Sequence, residues 1–373
     1  MTIDSKLKAV IDRFVFPGAL VECAEIKTGH INATYRLRFV GAEGAQREYV
    51  LQRINNYVFK KPDEVMQNVR LVTEHLSRAL AARGVDPDNR VLRVVPTVDG
   101  GAMVDDGEGG FWRAYDFIRH AVTVDRVQSA DQFRQIGAAF GDFQGMLSDF
   151  PIDRLYDTIP HFHDTRKRLS DFERSVKGDA AGRAASVPEE IEFIRSRGKA
   201  MCRIVEMLES GEIPLRVTHN DTKINNVMLD KATGEALCVI DLDTVMPGSA
   251  LYDFGDAIRY GACTAAEDET DLSRVALDID LFAAFAEGFI SRTADRLTKA
   301  ELENLPLGAM VMTYENALRF LADHLDGDIY FTDVDYPEHN LSRARCQMKL
   351  LTDMEAKRAD MDGIVARLIE RTK

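Results

Sequence analysis

A polar cluster between two apolar segments is the stretch whose residue types and spacing fit catalysis best. In RVTHNDTKINNVML (216–229), His219, Asp221, Lys223 and Asn226 fall within eight residues. Buried polar groups are costly unless they find partners, so a hydrophobic core rarely carries so many of them together. The cluster therefore predicts a place where the protein handles charge.

A second acidic segment follows twenty residues after Asp221. VIDLDTVMPG (239–248) places Asp241 directly after an apolar strand pattern and Asp243 two residues later. Phosphoryl transfer from a nucleotide needs one carboxylate to take the proton of the acceptor hydroxyl, and further oxygen ligands to hold Mg²⁺ against the phosphates. Either segment alone also fits an ordinary turn, where Asp and Asn are common. The two in this order favour a phosphotransferase site.

The totals of the chain exclude several other classes of function. Its 373 residues exceed what one compact core usually covers, so two domains are expected. The net charge of −14 argues against non-specific binding to nucleic acid or to an anionic membrane, although a local basic pocket or a metal ion still allows an anionic ligand. Five cysteines without a CxxC pair indicate free thiols in a reducing compartment. With no secretory signal pattern and no apolar stretch of about 18 residues, we expect a cytoplasmic protein; the oligomeric state stays open.

Hydrophobic periodicity predicts a β-rich first part. Alternating and apolar runs separated by Gly-bearing turns indicate strands, and apolar residues at helical spacing after Pro62 indicate one long helix to about residue 83. The predicted strands are 20–26, 34–40, 47–54, 91–95 and 111–118. Residues 1–118 therefore form a small sheet with one long helix, preceded by a short helix at 4–14.

Helical patterns dominate after residue 118. The predicted helices are 129–148, 164–176, 188–210, 274–290, 299–325 and 340–371. Only the polar cluster and the acidic segment interrupt them, with strand-like pieces at 227–230 and 236–240. The pattern is that of an α+β fold with a β-rich part (1–118), a connector at about 115–120 and a larger helical part (119–373).

These features together resemble the protein kinase-like phosphotransferases, and more closely the aminoglycoside phosphotransferase superfamily, which carries HxDxxxxN followed by a short strand and D-x-D/E. Within that group the chain is similar to the N-acetylhexosamine 1-kinases. The matching segments are TGHINATYRL (28–37), YVLQRIN (49–55), HNDTKINNVMLD (219–230), VIDLDTVMPGSALYDFGDAIR (239–259) and YENALRFLADHLDGDIYF (314–331). The resemblance implies a bilobal protein kinase-like fold with a small β-rich N-lobe and a larger helical C-lobe, using ATP and Mg²⁺.

The resemblance also assigns the polar groups. It implies that Asp221 is the catalytic base and that Asn226 and Asp241 bind the metal, with Asp243 as an assisting carboxylate. His219 is expected to brace the catalytic loop rather than to exchange protons, since a His in such a loop is more often a hydrogen-bonded support. For Lys223, contact with the transferred phosphoryl group and a plain surface position stay equally open.

Nucleotide binding is expected in the β-rich part. The turn TGHIN (28–32) lies between two strands, where its N–H groups and the side chains of His30, Asn32 and Thr34 face the phosphates; with a single glycine it also fits a plain hairpin turn. In YVLQRIN, Arg53 is expected to point into the cleft as the phosphate-binding cation, while its neighbour points away.

Two further details of the nucleotide site follow from the resemblance. Either Glu64 or Glu74 of the long helix would pair with the strand cation. Asp116 and Ile118 would lie in the connector, whose backbone meets the adenine. Recognition through backbone groups leaves ATP and GTP both open.

Acceptor binding is expected in the last matching segment. The resemblance implies that Arg319 and Tyr330 contact the sugar, since sugar pockets combine bidentate polar side chains for the hydroxyl groups with apolar surfaces for the ring. The alternative is that this segment is a charged helix end, with Tyr330 packed in the core. His163 and Arg166 of PHFHDTRKR (160–168) are expected to line the same cleft.

The expected activity is transfer of the γ-phosphoryl group of ATP to a sugar hydroxyl. The resemblance favours the anomeric hydroxyl of N-acetylglucosamine or N-acetylgalactosamine, without deciding the epimer. Two alternatives stay open: a kinase of the same fold acting on an aminoglycoside, choline, homoserine or another sugar, and a nucleotide-binding pseudokinase without catalysis.

Overall fold

The N-terminal part of the protein is built on an antiparallel sheet, seen in a computed structural model that describes residues 4–26, 33–332 and 334–372. In this described part, five strands pair in the order β1-β2-β3-β5-β4. The elements are α1 (Ser5–Ile11), β1 (Ala19–Ile26), β2 (Ala33–Val40), β3 (Gln46–Ile54), α2 (Pro62–Ala82), β4 (Val104–Asp105) and β5 (Phe111–Asp116).

Strand alternation gives this sheet two different faces. Tyr49 and Leu51 of β3 pack with α1 in one buried cluster. Ile54, on the opposite face of the same strand, packs with α2 in another. Pro62 begins α2 at a position where its missing N–H costs nothing. The second face is the one that meets the rest of the chain, because its cluster also contains Val245.

The C-terminal part is mainly helical. Its elements are β6 (Ala121–Val122), α3 (Ala130–Met146), α4 (Thr165–Gly178), α5 (Pro188–Met201), α6 (Arg203–Ser210), β7 (Arg216–Thr218), β8 (Val227–Asp230), β9 (Ala236–Val239), β10 (Met246–Gly248), α7 (Ala250–Gly261), α8 (Ile279–Thr293), α9 (Lys299–Glu303), α10 (Leu305–Asp326), α11 (His339–Ala356) and α12 (Arg358–Arg371). Helix α10 lies at the centre and packs against α4, α7 and α11. Helices α3 and α8 approach closely because Gly288 has no side chain: a Cβ there would lie 2.1 Å from the carbonyl oxygen of Arg134.

The short strands of the helical part carry the polar segments. β7 pairs with β10, and β6, β8 and β9 form a small antiparallel sheet. The loop between β7 and β8 contains the polar cluster, and the acidic segment begins where β9 ends. Both segments therefore emerge from neighbouring, hydrogen-bonded pieces of backbone.

The predicted α+β class is confirmed, and most predicted elements are present. The predicted strand 91–95 is wrong: it contributes one bridge between Val94 and Tyr115, and the next residue, Pro96, has no N–H to extend a ladder. The predicted helix 299–325 is two helices, because Pro306 begins a new one at α10. The helix predicted at 188–210 likewise divides, at Cys202.

The division into two domains at residue 118 stays a prediction. The cluster that contains Ile54 and Val65 also contains Phe143, Val217 and Val245, so a hydrophobic core crosses the proposed boundary.

Among the described residues, we find no helix with the length and apolar character that a membrane span requires.

Candidate active site

A buried carboxylate fixes the loop that carries the polar cluster. Asp253, in the first turn of α7, accepts hydrogen bonds from the backbone N–H groups of His219 (2.9 Å) and Asn220 (2.8 Å). The side chain of Gln144 donates to it as well, at 2.6 Å. Burial raises the pKa of Asp253 in spite of these donors. Because Asn220 adopts a left-handed backbone with φ of 62°, the chain reverses here and presents the next residue, Asp221.

Asp221 is held in its ionised form. Burial tends to raise its pKa, but the charge of Lys223 and the hydrogen bond from Asn226 contribute to a net lowering of the pKa. Asn226 Nδ2 donates to the backbone oxygen of Asp221 at 2.8 Å and to its Oδ2 at 3.2 Å. Lys223 Nζ lies 3.5 Å from Oδ1. The carboxylate can therefore accept a proton from a hydroxyl group placed beside it.

His219 is enclosed by the protein. Asp221 N–H donates to its Nδ1 at 3.3 Å, which leaves Nε2 as the donor to the carbonyl of Ile240 at 2.9 Å. The ring meets Phe140 and Phe143 edge-on, with 5.8 Å between centroids in both cases. These contacts support the expectation that His219 braces the loop, because both ring nitrogens are already in use.

The acidic turn lies against the same loop. Ile240 N–H donates to the backbone oxygen of Asn226 at 2.9 Å, and Asp241 then turns with a left-handed φ of 60°. Burial, and next the charges of Asp243 and Asp221, raise the pKa of Asp241 to about 7. A site where carboxylates repel one another favours a cation.

The donor set suits Mg²⁺ better than a transition metal. No group of three or more His, Cys, Asp or Glu side chains in the described ranges could hold a metal ion. An amide oxygen of Asn226 with the carboxylate of Asp241 is the small set of hard oxygen donors that Mg²⁺ accepts while keeping water and phosphate ligands. Asn226 donates to Asp221 through its amide nitrogen, and no hydrogen bond among the described residues uses its Oδ1.

Asp243, expected to assist at the metal as a second carboxylate, is engaged by an arginine in this structure. Its side chain is 4% exposed and both of its oxygens accept from the buried Arg113 of β5, Nη2 to Oδ2 at 2.9 Å. Arg113 Nε donates in turn to Gln52 Oε1 at 3.1 Å. Sequence reasoning missed Arg113, because its role depends on the register that pairs it with Gln52 on β3.

The expected position of Arg53 is wrong. Gln52 faces Arg113, so strand alternation turns Arg53 to the face of Tyr49, where it is exposed and lies near Asp106. Its expected helix partners are engaged elsewhere. Glu64 pairs with Lys61 at 2.7 Å, and Glu74 lies 3.9 Å from Arg70.

The other predicted nucleotide contacts have different positions. His30 and Asn32 lie outside the described residues. Thr34 is buried and its Oγ1 accepts from Gln52 Nε2 at 3.3 Å, on the face that meets the helical part. The Asp116 side chain is paired with an arginine at the surface. Ile118 is buried, and no hydrogen bond among the described residues reaches its backbone N–H or C=O.

The predicted acceptor residues do not all meet. Arg319 of α10 lies over three rings, those of Phe331 (5.2 Å), Tyr330 (5.8 Å) and Phe162 (5.9 Å). Within the described chain it has no hydrogen-bond partner. Tyr330 is half exposed beside it. Arg166 instead points to the surface and pairs with a glutamate on α6, so its expected place in the cleft is wrong.

His163 lies behind the catalytic loop rather than in a cleft, so its expected substrate contact is also wrong. It is buried between Glu315, whose Oε2 is 2.9 Å from Nδ1, and Asn220, whose backbone oxygen is 3.4 Å from Nε2. Thr165 Oγ1 donates to the other oxygen of Glu315. His163 therefore connects α10 with the residue that precedes Asp221.

Replacing Glu315 by Gln tests this connection. In the wild type, the carboxylate of Glu315 accepts from His163 and Thr165. The amide of Gln has one oxygen fewer to accept with, so one of these donors would lose its partner. We therefore expect the free energy of unfolding to fall by about 1–3 kcal/mol in denaturant titrations at neutral pH. Hydrogen bonds and charge from His163 lower the pKa of Glu315 against the effect of burial. Its contribution is therefore complete above the ordinary carboxyl pKa and is lost as pH falls through the lowered value. The surface change Glu303→Gln should alter stability by less than about 0.5 kcal/mol; equal effects of the two changes would contradict the assignment.

The chain is similar to known proteins. The model of the phosphotransferase enzyme family (APH) matches residues 22–288. Similar solved structures include an aminoglycoside phosphotransferase from Alicyclobacillus acidocaldarius (12% identity, 98% of this chain and 96% of that one, TM-score 0.60) and the amicoumacin kinase hAmiN bound to AMP-PNP, Ca²⁺ and its ligand (13%, 95% and 94%, 0.59). A microcompartment-associated aminopropanol kinase is similar at 18% identity over 95% and 97%, with a TM-score of 0.58. At these identities the structures establish the fold, and the family match extends over most of the chain. The chain belongs to the phosphotransferase enzyme family.

Proposed function

We propose that this phosphotransferase is an ATP-dependent kinase that phosphorylates a sugar hydroxyl, with the anomeric hydroxyl of N-acetylglucosamine or N-acetylgalactosamine as the first choice. The observation that carries the proposal is the meeting of an ionised Asp221 with Asn226 and Asp241 on adjoining loops. The sugar as acceptor rests on the segments shared with the N-acetylhexosamine 1-kinases.

The residues divide the work of the transfer. Asp221 accepts the hydroxyl proton as the oxygen attacks phosphorus, and Asn226 keeps that carboxylate in place. Asn226 Oδ1 and Asp241 would hold Mg²⁺, which when bound draws negative charge from the phosphates. Lys223, half exposed and near Asp221, is placed to offset charge on the transferred group. Ile118 would orient the base through its backbone.

Arg319 offers donors for the oxygens of a neutral acceptor. Arg168 lies close enough to Arg319 that burial, followed by the charge of Arg319, lowers the pKa of Arg168 to about 10. Three carboxylates also line this pocket, and each already accepts a hydrogen bond from a protein donor: Asp171, Asp323 and Asp326. The guanidinium of Arg319 can therefore donate to the oxygens of a sugar.

A panel of acceptors tests the activity. ADP release should be fastest with the two acetylated hexosamines, slower with other sugars and weakest with choline, homoserine or an aminoglycoside. Methyl glycosides of the acetylated hexosamines, whose anomeric oxygen is blocked, should give no ADP. Turnover of the methyl glycosides at the rate of the free sugars would contradict phosphorylation at the anomeric position. Nucleotide binding without ADP release on any acceptor would instead indicate a pseudokinase.

Replacing Arg319 by Ala tests the acceptor pocket. We expect KM for the sugar to rise by about tenfold or more, because the partly buried guanidinium donors to a neutral acceptor are lost, while KM for ATP stays within about twofold of the wild type. Arg166→Ala removes a guanidinium whose ion pair lies at the surface, and it serves as the matched control with unchanged kinetics. An unchanged sugar KM in Arg319→Ala would remove this residue from the acceptor site.

A further inference from the structure

We propose that Arg113 is a positioning residue that fixes the metal-binding turn through Asp243. The inference rests on the proposed function, because the metal ligands it concerns are assigned there. Arg113 contacts neither a phosphate position nor a metal position in this account. It acts on the residue two positions after Asp241.

The first argument is the geometry of the ion pair. Arg113 is 1% exposed, and its two terminal nitrogens each donate to a different oxygen of Asp243. A bidentate pair of this kind fixes the direction of the carboxylate as well as its distance. Arg113 also lies over the ring of Tyr115, 5.2 Å from its centroid, and beside Met66 of α2. The guanidinium therefore has one well-defined position.

The second argument is where the pair leads. Gln52 accepts from Arg113 Nε and donates to Thr34, so hydrogen bonds connect three neighbouring strands. Thr34 lies at the start of β2 and is among the residues expected to bind the nucleotide. At the other end, Asp243 belongs to the same tight turn as Asp241. One continuous chain of contacts thus sets the metal turn relative to the strands of the nucleotide site.

The third argument is charge. Both oxygens of Asp243, two residues after Asp241, are paired with the buried guanidinium of Arg113. Arg113 thus holds Asp243 away from the metal and offsets its charge at the same time. Without Arg113, Asp243 would be a buried charge with its main counter-ion removed, and the turn would rearrange.

The test measures nucleotide binding with and without Mg²⁺ by calorimetry, using a non-hydrolysable ATP analogue. In Arg113→Met we expect the gain in affinity that Mg²⁺ provides to fall by about 10- to 100-fold, the usual effect of losing a residue that orients a metal ligand. Binding of the metal-free analogue should stay within about threefold. Arg113→Lys should restore part of the gain in affinity that Mg²⁺ provides. The double variant Arg113→Met with Asp243→Asn should lose no more of this gain than either single variant, because the two residues act as a unit.

The control is Arg197→Met, which removes another bidentate arginine pair, from Arg197 of α5 to Glu355 of α11, without touching the sheet. The single tryptophan, Trp112, adjoins Arg113 and reports by fluorescence whether the sheet is folded. If Arg113→Met does not fold, Asp243→Asn carries the same expectation.

A Mg²⁺-dependent gain in Arg113→Met and Asp243→Asn equal to that of the wild type would overturn the inference. A loss of affinity that is equal with and without Mg²⁺, or that appears also in Arg197→Met, would overturn it by showing a general structural effect. A wild-type protein that binds no nucleotide would instead overturn the proposed function, and the inference would fall with it.

Discussion

Replacing Asp221 by alanine is expected to lower turnover by about 10²- to 10⁴-fold, the usual contribution of a positioned general base. Affinity for Mg²⁺ and nucleotide should change little, because Asp221 is assigned to the acceptor hydroxyl. The loop should survive the change, since Asp253 holds its backbone from the N–H groups of His219 and Asn220. Turnover is measured by ADP release with the best acceptor of the panel, and nucleotide binding by calorimetry.

Two further variants make this result specific. Asp221→Asn keeps the shape of the side chain and removes only its ability to take a proton, so its turnover should be as low as that of the alanine variant. Asp149→Asn removes a carboxylate at an exposed position and should leave turnover unchanged. If Asp221→Ala retains turnover within about tenfold of the wild type, the assignment of Asp221 as the base is wrong.

Replacing Asp241 by Asn is expected to give the second large effect, a loss of turnover of about 10²- to 10³-fold at a fixed Mg²⁺ concentration. The reason differs from that for Asp221, because the change removes a charged ligand of Mg²⁺. Turnover should therefore recover in part as the Mg²⁺ concentration is raised. Burial, and next the repulsion by neighbouring carboxylates, raise the pKa of Asp241. Asn removes the charge that both disfavour, so the variant should be no less stable than the wild type.

The dependence on Mg²⁺ concentration separates the two roles. Asp241→Asn should shift the Mg²⁺ concentration for half-maximal rate upward, whereas Asp221→Asn should lower the rate at every concentration. Asp230→Asn is the control, because Asp230 lies at the exposed turn that follows β8. Its Mg²⁺ concentration for half-maximal rate should equal that of the wild type. An unchanged Mg²⁺ requirement in Asp241→Asn would exclude this residue as a ligand.

The catalytic loop could be predicted because its chemistry is local in sequence. Asp221 and Asn226 are five residues apart and reach each other within one turn of chain. Asp241 required one further step, an apolar strand that ends beside the loop, and hydrophobic patterning indicates such strands well. The role of Asp253 in holding the loop was harder to predict. The only sign of it in the sequence is that Asp253 lies in the segment 239–259, which resembles the N-acetylhexosamine 1-kinases.

The errors concern residues whose roles depend on which way a side chain points. Alternation showed that only one of Gln52 and Arg53 faces the cleft, but the sequence does not show which. Arg113 carries no motif, and only strand register brings it to Asp243. His163 lies on the boundary between a core and a pocket, and its burial follows from the packing of α10, which no local pattern contains.

The most direct measurement of the central claim is a crystal structure of the protein with Mg²⁺ and a non-hydrolysable ATP analogue. We expect a metal ion bound by Asn226 Oδ1 and the Asp241 carboxylate, with the terminal phosphate facing Asp221, and with Asp243 still paired with Arg113. A metal bound through Asp243 in place of Asp241, or a terminal phosphate directed away from Asp221, would contradict this claim.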